Sequence, residues 1–155
     1  AGKLPDVGTT IFTVMSALAA EAGALNLSQG FPDFPPPEGL VDRVVAHLRA
    51  GHNQYAPMAG LPALRAAIAR KTADLYGHAP DPEDGVTVTS GATEALFSAI
   101  NALVGPGDEV ICLDPAYDAY DPAVRLAGGR AVHVPLTPPH FGIDWQRVGD
   151  AVTPR

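Results

Sequence analysis

Two short runs of residues could together hold a ligand with a phosphate and a flat ring. In the first, Thr87-Val88-Thr89-Ser90-Gly91-Ala92-Thr93-Glu94-Ala95-Leu96, the β-branched Val86 and Val88 alternate with threonines and then give way to small residues. Leu96, Phe97, Ile100, Leu103 and Val104 follow at helical spacing, so the run predicts a strand passing through a small-residue turn into a helix. A helix opened by Ser90, Gly91 and Ala92 presents unpaired backbone N–H groups with no bulky side chain over them. Its dipole places about half a positive charge there, which suits a phosphate dianion. The second run, Gly107-Asp108-Glu109-Val110-Ile111-Cys112-Leu113-Asp114-Pro115, predicts a buried strand ending in an Asp-Pro turn. Tyr117 and Tyr120 stand just beyond it. A phosphate cradle after one strand and an aromatic plate after the next suit a flat, phosphorylated cofactor.

The same residues exclude other phosphate chemistry. The three spaced glycines of the dinucleotide fingerprint are absent, and so is the Gly-Lys-Ser/Thr ending of the P-loop. Strand–turn–helix units recur throughout α/β proteins, so the first run taken alone also fits a plain helix start. Glu94 suits the helix N-terminus through the dipole, and Asp114 suits the Asp-Pro turn. Cys112, the single cysteine, lies within an apolar strand and reads as a packed thiol rather than a nucleophile. His47, His52, His78, His133 and His140 have no metal-ligand spacing, so no metal is expected.

The elements that must position these runs are legible from periodicity. Thr9 or Thr10 could cap a helix whose Met15, Leu18 and Ala22 share a face. The segment from Phe31 to Gly39 holds four prolines and predicts an extended connector. Leu40, Val44, Val45 and Leu48 mark a helix ending at Gly51. Pro62 opens another, with Leu64, Ala67, Ile68 and Leu75 inward and an end near Gly77. A strand over 86–89 leads into the phosphate turn. After the strand at 110–113, a helix from about Asp118 stops at Gly128-Gly129, a strand follows over 131–134, and Asp144 caps a last helix. Strands alternating with helices imply an α/β sheet with crossovers.

Composition bounds the rest. A chain of 155 residues with 46 % hydrophobic content is long enough for one sizeable core. The net charge of −7 is spread along the chain with no basic patch, which argues against nucleic acid. No apolar run approaches the roughly 18–20 residues of a membrane span. The segment from Ile11 to Ala22 is interrupted by polar residues, unlike a signal peptide. A soluble cytoplasmic protein is expected.

Four segments then resemble a known family. Leu25-Asn26-Leu27-Ser28-Gln29-Gly30-Phe31-Pro32-Asp33-Phe34, Asn53-Gln54-Tyr55-Ala56-Pro57-Met58-Ala59-Gly60, the Ser90–Leu96 turn and Asp114-Pro115-Ala116-Tyr117-Asp118 occur in the order and spacing of fold-type-I, pyridoxal-phosphate-dependent aminotransferases. The likeness is to the methionine aminotransferase and kynurenine/glutamine aminotransferase branch, and it runs from about Thr9 onward. The resemblance implies a three-layer α/β/α fold with a mostly parallel sheet, incomplete in this chain. Residues 1–39 would form an N-terminal arm and substrate-side segment, and 40–155 the first part of the large cofactor-binding domain. Gly91, Ala92 and Thr93 would donate to the phosphate of pyridoxal 5'-phosphate, and Tyr117 would stack on its ring. Tyr55 would cross a homodimer interface to the partner's cofactor phosphate. Gly30 would leave room for the substrate carboxylate, and Phe12 would line the substrate side-chain pocket. The substrates implied are an amino acid and a 2-oxo acid.

The same resemblance implies what these residues lack. Transamination needs a lysine that forms a Schiff base with the cofactor and shuttles a proton. Lys3 lies in a polar tail and Lys71 follows Arg70 on a helix surface, neither in the family's Ser-x-x-Lys context. The Schiff-base lysine is expected beyond Arg155, with the residues that hold the pyridine nitrogen, the ring oxygen and the substrate carboxylate. The chain is expected to be the N-terminal part of a longer enzyme, inactive alone and partnered by the remainder. A carbon–sulfur lyase shares this half of the fold and stays open as an alternative, as does a non-catalytic domain that senses the cofactor.

Overall fold

Proline at a first helical position and glycine just past the last one bracket a helix. The computed structural model, which describes residues 2–30 and 32–155, shows this pattern at Pro62–Tyr76, where Gly77 closes the helix at φ 70°. In chain order the elements are α1 (Ile11–Glu21), α2 (Glu38–Arg49), α3 (Pro62–Tyr76), α4 (Gly91–Leu103), β1 (Glu109–Asp114), α5 (Tyr120–Ala127), β2 (Arg130–Pro135) and α6 (Trp145–Ala151). Thr10 Oγ1 accepts the Thr13 N–H at 3.3 Å, as expected of a cap on α1. Asp144 accepts the N–H groups of Gln146 and Arg147 at 3.1 and 3.2 Å and caps α6. Within the expected connector, Phe31 lies outside the described residues. Residues 32–37 form no helix or strand, and α2 begins at Glu38 rather than Leu40.

The chain divides into two compact units, one of residues 15–89 and one joining residues up to 14 with 90–155. In the first, α3 turns Arg65 and Ala69 inward, with Ile68 and Thr72 half-buried. Leu64 and Leu75, expected inward, are exposed. The buried face runs through Arg65 and Ala69 instead, and the Arg65 side chain is held by the loops beside it. Gly60 has φ 100°, and a Cβ there would fall 2.5 Å from Val88 Cγ2. The Val88 N–H donates to the Ala59 carbonyl at 3.0 Å. The strand expected over 86–89 is not formed. A strand exists only through its ladder, and among the described residues the sheet consists of two other strands, although Val86 is buried as the alternation implied.

In the second unit, β1 and β2 pair in parallel from Glu109↔Arg130 to Asp114↔Pro135. The α5 crossover joins them, and α4 packs on α5. Leu96, Ile100 and Val104 form a half-buried stripe at four-residue spacing, while Phe97 and Leu103 are exposed. Cys112, Ala123, Val124 and Val134 make the core, with Val124 fully buried. Gly129 allows the close approach that ends the crossover, since a Cβ there would lie 2.5 Å from Val104 Cγ1 and 3.1 Å from the Asp108 carbonyl. The result is an α/β fold with a short parallel sheet, as the alternation of elements implied. No helix among the described residues is long and apolar enough to cross a membrane.

Candidate functional site

Small residues at 90–92 open α4, and the structure builds the site from that end. Ser90 is the N-cap, with φ −77° and ψ 74°, and Gly91 takes φ 81° as the first helical residue. Space is open where a Gly91 Cβ would stand, with no atom within 4 Å. The Glu94 carboxylate accepts the Ser90 N–H. Glu94 therefore supports the helix start by a direct hydrogen bond as well as through the dipole, one half of a capping box displaced by one residue.

The second run reaches the same place. β1 ends at Asp114, and Tyr117 follows with its hydroxyl 3.2 Å from Thr93 Oγ1. Tyr117 is 43 % exposed, so one part of the ring is packed and another is accessible. Tyr120 holds the packed side, with the two rings nearly perpendicular and their centroids 5.7 Å apart. The Tyr120 N–H donates to the Tyr117 carbonyl at 3.1 Å, which joins this segment to the first turn of α5. A group with several acceptors and a flat face fits this corner. The helix start offers backbone donors, Thr93 a hydroxyl and Tyr117 an aromatic surface.

Phe12 is half-buried on α1 in the unit that contains Thr93 and Tyr117. Gly30 and Tyr55 belong to the unit of residues 15–89. Gly30 has open space where a Cβ would be, and Tyr55 is fully exposed.

The sequence assigns Asp114 a turn role and His133 no ligand role, and it does not signal that the two meet in a charge cluster at the C-terminal end of the sheet. His133 Nδ1 lies 3.1 Å from Asp114 Oδ1, and Nε2 lies 3.7 Å from Asp121 Oδ1. Arg125 pairs with Asp121 at 3.3 Å and with Asp6 at 2.5 Å. The Arg125 guanidinium hydrogen-bonds Asp6 and holds its carboxyl below the usual range. The hydrogen bond that its ring donates to Asp114 holds His133 above the usual histidine value. The Asp121–Arg125 spacing of four was the available signal. The contact of His133 with Asp114 depends on strand register and had none. Cys112 is buried, and desolvation, followed by the Asp114 and Asp121 charges, pushes its thiol up, as expected of a packed, unreactive cysteine.

The family model for aminotransferase class I and II matches residues 22–155. The chain belongs to that family. It is 58 % identical over 153 residues to the methionine aminotransferase of Escherichia coli strain K12, covering 99 % of this chain and 40 % of that protein. Human kynurenine–oxoglutarate transaminase 1 is 45 % identical over 124 residues, with 78 % of this chain and 29 % of the human protein covered. A crystal structure of the Escherichia coli methionine aminotransferase superposes with a TM-score of 0.94 at 57 % identity, covering 99 % of this chain and 40 % of that one. The chain thus spans about 40 % of the length of that aminotransferase, and both the family and the fold type implied by its four motifs hold.

Proposed function

We propose that this chain is the N-terminal part of a pyridoxal-phosphate-dependent amino-acid:2-oxo-acid aminotransferase acting on methionine or on aromatic or glutamine-type donors. The observation that carries the reading is the meeting of Thr93 and Tyr117, at 3.2 Å, beside the small-residue start of α4. The membership in the aminotransferase family and the 58 % identity to a methionine aminotransferase support it.

In this reading Gly91, Ala92 and Thr93 bind the cofactor phosphate through backbone N–H groups and the Thr93 hydroxyl. Tyr117 orients the ring by limiting its tilt and excludes water from one of its faces. Bound there, pyridoxal phosphate supplies an electron sink that eases removal of the Cα proton from an amino acid. Gly30 leaves the substrate carboxylate room to approach, and Phe12 lines the side-chain pocket. Residues 1–39 serve as the arm and 40–155 as the opening of the large domain. The full-length protein works as a cytoplasmic homodimer, in which Tyr55 reaches the partner's cofactor phosphate. The 155 residues alone, with Lys3 and Lys71 as their only lysines, are expected to give no amino transfer.

Thr93→Val in the full-length protein tests the reading. It removes one hydroxyl donor to a charged phosphate, a bond of about 1.5–3 kcal/mol, so cofactor affinity should fall by about tenfold to a hundredfold. Unchanged affinity would take Thr93 out of the site. Amino transfer from methionine to a 2-oxo acid is the expected reaction, and pyruvate release from a cysteine conjugate without such transfer would refute it.

A further inference from the structure

Parallel pairing sets His133 of β2 opposite Cys112 of β1, and Asp114 lies two residues on along the same face of β1. His133 Nδ1 is 3.0 and 3.1 Å from the two Asp114 carboxylate oxygens. On the far side of the ring, Nε2 is 3.7 Å from Asp121 Oδ1 in the first turn of α5. Asp114 and Asp121 stand on either side of the segment that carries Tyr117. One imidazole therefore spans both ends of the segment whose tyrosine meets Thr93.

We propose that His133 is a positioning residue that clasps the two ends of the Tyr117 segment, and that protonation of its ring closes the clasp. The proposal rests on the reading of Tyr117 as the residue that covers the cofactor ring. In the neutral ring, Nδ1–H donates to Asp114 and the Nε2 lone pair faces a carboxylate oxygen, which offers no bond. In the protonated ring, Nε2–H faces that oxygen, and attraction replaces repulsion.

The groups around His133 favour the closed form. From β1 come the Asp114 carboxylate and the buried Cys112 thiol; from α5 come Asp121 and Arg125. Arg125 is engaged by Asp6 and by the other oxygen of Asp121. The hydrogen bond to Asp114 is the largest influence that keeps the proton on His133. Desolvation opposes it, and the Asp114 and Asp121 charges reinforce it. α6, which also packs on β2, carries Arg147 and Asp150, and the influences on His133 come from Asp114, Asp121 and desolvation. The folded chain thus holds this proton more tightly than the unfolded chain, whose histidine titrates near about 6.5. The contribution to stability is complete below that pH and is lost as pH rises through the raised folded value. The clasp is closed on the acid side and opens on the alkaline side.

The test uses the full-length protein with labelled histidine and 3-fluorotyrosine, and His133→Gln and Tyr117→Phe to assign the signals. The His133 midpoint should lie above about 6.5 and fall in Asp121→Asn. The Tyr117 fluorine resonance should move with the same midpoint in the wild type and stand still in His133→Gln. Pyridoxal phosphate affinity should weaken between pH 6 and pH 8.5 by about two- to fivefold more in the wild type than in His133→Gln, as loss of one exposed contact implies. A Tyr117 resonance that ignores the His133 midpoint, or a midpoint unmoved by Asp121→Asn, overturns the clasp. If pyridoxal phosphate binds at no pH while Tyr117 still follows His133, the functional reading falls and the clasp stands.

Discussion

Replacing Arg65 by methionine keeps the unbranched apolar stem of the side chain and removes its donors. Arg65 is 6 % exposed and is the buried charged residue among those described. Its Nε donates to the Gly60 carbonyl at 3.2 Å, and Nη1 donates to the carbonyls of Pro82 and Glu83 at 2.6 and 3.0 Å. Nη2 lies 3.3 Å from the Glu83 carboxylate, whose side chain is 71 % exposed. The Gly60 bond is buried and the other two are part-buried. An orphaned buried acceptor costs about 1–3 kcal/mol, and each acceptor that water can reach costs about 0.5–1.5 kcal/mol. The total loss is therefore about 2–6 kcal/mol by the same magnitudes. The exposed ion pair adds at most about 1 kcal/mol. Urea unfolding of the full-length protein should rank Arg65→Met well below Arg65→Lys, which keeps one point of contact, and Glu83→Gln close to wild type. Exchange of the Val88 amide, bonded to Ala59 next to Gly60, should quicken in Arg65→Met. If Glu83→Gln costs as much as Arg65→Met, the ion pair rather than the carbonyl fork holds these loops, and the reasoning fails.

If Tyr55 reaches a partner subunit's cofactor phosphate as proposed, Tyr55→Phe should weaken pyridoxal phosphate binding by about tenfold or more, the loss of one donor to a charged group; a dissociation assay that shows no change removes Tyr55 from the site. Asp144→Ala should lower stability by about 0.5–2 kcal/mol, because it strips the acceptor for Gln146 and Arg147 from α6; urea midpoints of the two proteins decide this. Iodoacetamide should label the Cys112 peptide only in denaturant, given its burial and raised pKa, and mass spectrometry of native protein checks it.

Local rules were enough for most elements. Pro62 with Gly77, Asp144 as a cap and the Gly128-Gly129 stop each act through neighbouring backbone, and the structure has them where the chain signals them. The strand expected over 86–89 depended on a partner that local sequence does not supply. On α3, periodicity marked apolar residues as inward; Ala67 and Ile68 are half-buried, Leu64 and Leu75 are exposed, and the buried position is an arginine with three carbonyl acceptors that periodicity does not signal. The helix start at Ser90 and the tyrosine at 117 were readable as two runs. Their distance of 3.2 Å was not, because it follows from how α4 packs on the β1–α5–β2 unit. The His133 contacts were hidden for the same reason: they exist only once the register sets Cys112 opposite His133.

That register has a kinetic consequence. Every rung of the β1–β2 ladder joins residues 21 apart in the chain, and the fully buried Val124 lies on the helix between them. Parallel pairing is slow to form when it must close long loops, but closure entropy grows only by about 0.6 kcal/mol for each doubling of loop length. Here one continuous stretch brings both strands and their covering helix together. Val124 is thus placed to join the nucleus of folding, where trimming it to alanine should retard collapse into the native state more than it hastens escape from it.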